Sequence, residues 1–452
     1  MNKQPPGPML DENWEIPKAR IGVTVDDFVA YMPNHSYIYV PTREMWPVSS
    51  VNARCTSPSS NHSAAAWLDH NQPVEQMTWS PGESMLIADR HVSDGGWIEK
   101  QGVTTFNLYR PPLPMNGDPG QAGKWIAHID RLYGIEAAHH IIKYFAFKVQ
   151  QPDQKINHAL LLGGGQGIGK DTICEPLKYA VGPWNFAEIS PKIICGRFNG
   201  YVKSVILRVN EARDLGDLNR FELYEHLKPL TASPPDVVRV DEKHLREYAV
   251  FNVCGVIITT NYKTNGIYLP AEDRRHYVAW SDSTKEDFTQ GYWDEIWGWY
   301  QNEGGLGHVV AYLQQLDIAD FNPKAPPPKT EAFWAIVHAN QPPENAELAD
   351  ALDELGKTWV NGAQVIELPK ALTIDRLAAR APPEIVVWLR DHKNRRAIPH
   401  RLENLGYEAI RNPDANDGLW RINNKRQVIY ARRELSIADK IAAAGELAKG
   451  GP

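Results

Sequence analysis

Along the first 115 residues, apolar and polar positions alternate only in short bursts. Tyr37–Val40 and Thr104–Tyr109 read as strands, and prolines, glycines and asparagines cut them off, as in "YMPNHSYIYVPTREMWP". This pattern predicts a small β-containing region, residues 1–115, closed by the turn-rich "GDPGQAG" (117–123). From Lys124 to Val149 the apolar spacing becomes helical, in "WIAHIDRLYG" and "AAHHIIKYFAFKV", so residues 116–157 form a helical lead-in. Three continuous apolar runs follow: "HALLLGG" (158–164), "SVILRVNE" (204–211) and "CGVIITTN" (254–261). Runs of this kind, separated by helical patterns, predict a parallel sheet in an α/β core spanning 158–330. Before the third run, "LKPLTASPPDVVRVDEKHLREYAVFN" reads as a helix, then a strand "VVRV", a charged tip "DEKH" and a return strand "YAVFN". That is a hairpin inserted into the core. The Pro-rich "FNPKAPPPKT" (321–330) reads as a linker. Residues 331–452 then form a separate, mostly helical domain. Its helix-like run Ile398–Leu405 and the β-runs around "NPDANDG" have the outline of a winged helix.

Composition narrows the class without changing this layout. A chain of 452 residues with 42% hydrophobic and 23% charged positions suits two or three folded domains. A net charge of −7 excludes a protein that coats nucleic acid over its whole surface, though not one with a local basic channel. No apolar run approaches the ~18 residues of a membrane span, and "MNKQPPGPMLDENWEIPK" lacks the apolar centre of a signal peptide. Cys55, Cys174, Cys195 and Cys254 lie far apart with no C-x-x-C pair, which fits a reducing cytoplasm. No repeat is visible. The 15 Trp are scattered and read as core. Asp69, His70, Asp89, Arg90 and His91 read as surface and turn positions. His139 and His140 face different directions on a helix.

The chemistry concentrates in "LLGGGQGIGKDT", Leu161–Thr172. Gly164, Gly169 and Lys170 match G-x-x-x-x-G-K-[ST], a loop between strand and helix whose N–H groups converge on a phosphate. Gly165, Gln166, Gly167, Ile168 and Thr172 complete the cradle, for which the ligand is a nucleoside triphosphate. Asp171 stands where the magnesium-binding hydroxyl belongs. Glu211, at the end of the second run, is a candidate catalytic base, and Asn210 beside it replaces an expected acid. The carboxylate count around Mg2+ is kept if Asp171 and Glu211 are its ligands. Thr172, the rival ligand, is rotated about 100° along the helix. Asn261, ending the third run, is placed to orient a water; it also suits a plain turn. Arg274 and Arg275 in "AEDRRHY" suit an arginine finger, or a surface pair bridged to Glu272 and Asp273.

Taken in order, these parts resemble superfamily III helicases, a branch of the AAA+ ATPases. The likeness is to the helicase modules of bacteriophage and prophage primase-helicase proteins. It rests on "GGQGIGKDT", "VNEARDL", "LKPLTASPP", "EKHLREY" and "TTNYKTNGIYLPAEDRRHYVAWSD", within roughly residues 120–340. The resemblance implies an AAA+ P-loop core and a homo-hexameric ring driven by ATP and Mg2+ along single-stranded DNA. It implies an arginine finger offered to a neighbouring subunit, and the host bacterial cytoplasm as location. Lys243 and His244 are similar to the Lys-His pair on the DNA-gripping hairpin of polyomavirus and papillomavirus helicases. Asp171 and Asn210 depart from the pattern. The first 115 residues lack a clear D-x-D pair, so priming falls to a separate primase or polymerase partner. Between Arg390 and Glu434, 11 Lys/Arg against 6 Asp/Glu leave +5, a face suited to nucleic acid or partner docking. Two alternatives stand beside the helicase: a P-loop small-molecule kinase, and an AAA-type adaptor that binds nucleotide without turnover.

Overall fold

The apolar runs become strands because they are rich in aliphatic and β-branched side chains and both faces of the resulting sheet are covered. The computed structural model describes residues 22–210, 220–263, 267–339, 343–360 and 363–450. The chain forms two compact units, 1–340 and 341–452.

The first unit opens with β1 (Phe28–Tyr31), β2 (Ser36–Tyr39) and β3 (Glu44–Trp46). Helices α1 (Val48–Arg54) and α2 (Ala64–Asn71) follow, and β4 (Pro73–Val74) returns beside β1 in the order β3-β2-β1-β4. A second small sheet, β5-β7-β6, comprises β5 (Gln76–Thr78), β6 (Leu86–Ser93) and β7 (Gly96–Asn107). The lead-in is α3 (Gly123–Gln150), broken at Gly134, whose φ of 77° and ψ of 161° leave the helical region. The helical spacing on either side is as read from the sequence; the glycine at the end of "WIAHIDRLYG" marks the break.

The core alternates strand and helix: β8 (Ala159–Gly164), α4 (Lys170–Val181), β9 (Phe186–Ile189), α5 (Pro191–Ile194) and β10 (Ile206–Val209). Then come α6 (Arg220–Thr231), the hairpin β11 (Val237–Val240) and β12 (Tyr248–Phe251), β13 (Gly255–Thr260) and β14 (His276–Ser281). β14-β8-β13-β10-β9 make one parallel five-stranded sheet. β8 and β13 are buried at every position. β9 and β14 escape a pattern-based reading, since "FAEI" and "HYVAWS" become strands only beside their neighbours. Parallel strands share one C-terminal edge, where ligands of open α/β sheets bind. α7 (Gln290–Asn302), α8 (Gly305–Gln315) and α9 (Glu331–Ala339) complete the unit.

Two expected boundaries move. Phe333, Ile336 and Val337 of α9 share the central core with the sheet, so the unit continues past the Pro-rich stretch 321–330. Val29, Ile38, Met77, Trp79 and Phe106 join that same core, so the N-terminal strands are built onto the parallel sheet rather than set apart from it.

The second unit contains α10 (Pro343–Gly356), β15 (Lys357–Val360), β16 (Ala363–Ile366), β17 (Ala371–Leu372), α11 (Ile374–Ala378), α12 (Pro383–Arg390) and α13 (Ala397–Asn404). It ends with β18 (Tyr407–Ile410), β19 (Trp420–Ile422), β20 (Lys425–Gln427), β21 (Ile429–Arg432) and α14 (Ile437–Ala448). The two β-runs around "NPDANDG" do not pair with each other. β18 joins β21 and β17, while β19 pairs with β20. The tight turn is Asn423–Asn424, with φ of 47° and 61°, the left-handed pair that a two-residue hairpin demands.

Candidate nucleotide-binding site

β8 delivers the chain into the glycine loop, and α4 carries it away. A Cβ on Gly164 would fall 2.6 Å from Ile168 Cδ1 and 2.9 Å from the Ser281 carbonyl. One on Gly169 would fall 2.5 Å from His128 Nε2 and 2.6 Å from Trp293 Cη2. Both residues have positive φ, 140° and 93°, so glycine is required there by backbone and by neighbours. Ile168 is buried beneath the loop, while Gly165, Gln166 and Gly167 are exposed on its outer side. His128 braces the loop from α3: its Nε2 lies 3.1 Å from the Gly169 carbonyl and its Nδ1 2.7 Å from the Tyr292 hydroxyl. A cavity of about 500 Å³ opens here, lined by the loop, the first turn of α4, Arg208, Asn210, Thr259, Asn261, Trp293 and Trp297. The helix N-terminus gives it a positive pole.

Lys170 is buried and donates to the Gly164 carbonyl (2.8 Å), the Gly165 carbonyl (2.7 Å) and Asn261 Oδ1 (2.7 Å). Burial holds its pKa down, at about 8. Asn261 thus sits at the lysine's tip. Thr172 is buried in the cavity wall and its carbonyl accepts from the Tyr300 hydroxyl at 3.0 Å.

Asp171 has a partner that the sequence reading missed. Its exposed carboxylate is ion-paired with Arg208, which also donates to Glu188 at 2.9 Å. Arg208 is only 4% exposed, and its Nε is buried without a partner among the described residues. The signal was present: an arginine inside an apolar strand, "VILRV", must find carboxylates. Asn210 Oδ1, also on the cavity wall, is a buried acceptor without a hydrogen-bond partner among the described residues. An amide oxygen and a carboxylate are hard donors that fit Mg2+, with Arg208 as the competitor for the carboxylate. Glu211 lies outside the described residues.

Strand register places the arginine pair elsewhere. His276 pairs with Ala159, and Ser281 with Gly164, so Arg274 and Arg275 precede β14 at the sheet edge opposite the glycine loop. Neither is salt-bridged to Glu272 or Asp273 in the structure. Instead, buried Asp273 accepts from the Arg275 backbone N–H (2.9 Å) and the Tyr224 hydroxyl of α6 (2.8 Å), and pairs with His276 Nδ1 (3.1 Å). Arg275 is half-buried beside Tyr224, while Arg274 is exposed with no side-chain partner among the described residues.

The predicted hairpin forms, with Val237 opposite Phe251 and Val240 opposite Tyr248. Its tip acids are occupied: Asp241 pairs with Arg197 (2.9 Å) and Glu242 with Lys203 (2.8 Å). Lys243 and His244 are left exposed, the latter in the left-handed region at φ 69°. The N-terminal strands brace the base. Val92 packs with Val237 and Ala249, Thr78 Oγ1 donates to the Ala249 carbonyl at 2.9 Å, and Asp94 pairs with Arg239 at 2.8 Å.

Residues 161–275 match a family model described as a family of unknown function, DUF5906. That span runs from the glycine loop to the second arginine. No curated protein matches the chain. Among solved structures, the apo NrS-1 C-terminal region aligns with 90% of this chain and 95% of its own, at TM-score 0.61 and 16% identity. An A-form structure of the same region aligns over 73% and 75%, at TM-score 0.52 and 17% identity. These likenesses show a shared fold. JCV helicase aligns over 49% of this chain and 60% of its own, at 13% identity and a TM-score of 0.29 that carries no argument about the fold. No helix among the described residues is long and apolar enough to cross a membrane.

Proposed function

We propose that this chain is an ATP-hydrolysing helicase motor that acts as a ring, a homo-hexamer, on single-stranded DNA. The observation that carries the reading is Lys170, buried at the C-terminal edge of a parallel sheet and held by Asn261 at 2.7 Å. Gly164–Thr172 would wrap the phosphates, with Lys170 on the β- and γ-phosphates. Asn261 and Glu211 would orient and deprotonate the attacking water. Asp171, Asn210 and Glu211 would hold Mg2+, which when bound offsets the charge of the phosphate oxygens. An arginine pair remote from its own loop supports a neighbour's use of it, hence the ring. Lys243 and His244 would meet the DNA backbone, the basic second unit would dock DNA or a partner, and a separate primase or polymerase would supply primers.

The non-hydrolysing adaptor keeps one observation in its favour, the Asp171–Arg208 ion pair, which occupies a ligand assigned to Mg2+. Steady-state hydrolysis with and without single-stranded DNA, measured beside native mass, separates the readings. A hexamer stimulated by DNA and silenced by Lys170→Ala is the expected result. A DNA-indifferent monomeric phosphotransferase would point to a kinase, and nucleotide binding without turnover to the adaptor.

A further inference from the structure

We propose that Trp297 is the stacking platform for the base of a purine nucleoside triphosphate, with Trp293 as the fixed wall beside it. The proposal rests on the nucleotide reading above and names what the site reads beyond the phosphates.

Trp293, Trp297 and Tyr300 stand at i, i+4 and i+7 of α7, along one side of the helix. The two ends of this stripe are tied to the junction of loop and helix. Trp293 Cη2 lies where a Gly169 side chain would begin, and the Tyr300 hydroxyl donates to the Thr172 carbonyl at 3.0 Å. Trp297 stands between these two anchors, and both indoles line the cavity that contains Lys170. Ile296 and Trp299, flanking this stripe, and Tyr300 at its end are buried in the core.

The two indoles differ in what surrounds them. Trp293 is hemmed in by His128, Phe288 and Tyr292, with ring centroids 5.8, 5.3 and 5.3 Å away. Trp297 has Tyr300 as its ring neighbour, met edge-on at 5.6 Å and 81°, and is half-buried. It lines the cavity, and among the described residues no second aromatic ring packs on it. Polar and cationic groups of the loop and Lys170 suit the phosphates; a planar aromatic face suits the base, and purines offer it more overlap than pyrimidines.

The test is calorimetric titration of the full chain with Mg2+ present, using ATP and inorganic tripolyphosphate as probes. Trp297→Ala should weaken ATP about ten- to hundredfold and leave tripolyphosphate within about twofold, because only ATP carries a base. Trp297→Phe should recover most of the ATP affinity, and UTP should lose less than ATP in the alanine variant. The Phe/Ala comparison decides the matter even where tripolyphosphate binds too weakly to titrate. Unchanged ATP affinity in Trp297→Ala, or equal loss of both probes, overturns the proposal while leaving the nucleotide site intact. If Lys170→Ala binds both probes as the parent does, the nucleotide reading itself falls.

Discussion

Lys170 and Arg208 are both buried cations in the same cavity, and they are handled differently. Arg208 has carboxylates on two sides, whereas Lys170 has, among the described residues, only neutral oxygens as direct partners. Burial therefore lowers the lysine to about 8. A triphosphate brought to it favours the charged form and raises that value. Binding at pH 8 should take up about half a proton, and at pH 6 almost none, since the lysine is already charged there. Titrations in buffers of different ionisation enthalpy measure this directly; heats independent of buffer at pH 8 would contradict it. At this scale the glycines of the loop were legible because the positive φ of Gly164 and Gly169 is a backbone state that glycine favours. Arg208 was passed over because its task depends on Asp171 and Glu188, which only folding brings to it.

α6 and the start of β14 are joined through Asp273, which draws donors from Tyr224, His276 and the Arg275 backbone. Burial alone would raise this carboxyl; the donors outweigh it and bring it to about 2. A folded-state value below the unfolded one means stability that is complete above about pH 4 and lost as pH falls through 2. The size is on the order of 2 kcal/mol. Asp273→Asn should lower stability at pH 7 and flatten the decline between pH 4 and 2 in urea unfolding; an unchanged acid limb would refute the assignment. The hairpin carries a separate expectation. Lys243→Ala should weaken single-stranded DNA uniformly across sequences and reduce the salt slope by about one, with hydrolysis in the absence of DNA unchanged. Wild-type affinity and slope would remove the tip from the DNA path. The hairpin was legible because its alternation has period two and its tip is charged. β9 and β14 were not, because short mixed runs become strands only when neighbours supply hydrogen bonds and cover.

For the whole molecule, one consequence follows from the register of β14 on β8. The arginines stand at the sheet edge opposite the glycine loop of their own chain. Arg274 is exposed with no side-chain partner among the described residues, whereas Arg275 is packed beside Tyr224. Under the ring reading, Arg274→Ala and Lys170→Ala chains should each be inactive alone and regain part of the hydrolysis when mixed before assembly. Some interfaces would then join an intact loop to an intact arginine. Arg275→Ala should instead lower the unfolding midpoint. Mixtures that stay inactive while exchanging subunits would argue against catalysis across the interface. The N-terminal strands belong to the same scale. They looked like an independent region, yet they share the sheet's core and brace the hairpin's base.

By itself the sequence determined the local parts: the glycine loop, the buried apolar strands, the hairpin and its charged tip. Those depend on backbone freedom, side-chain period and charge, all encoded within a few neighbouring residues. Tertiary structure alone decided which parts meet. It set Arg208 against Asp171, Asp273 against Tyr224, two tryptophans into the wall of the cavity at the glycine loop, and the arginine pair away from it. These contacts follow from strand order and register, which are fixed by burial summed over the whole core and leave no mark in any short stretch of chain.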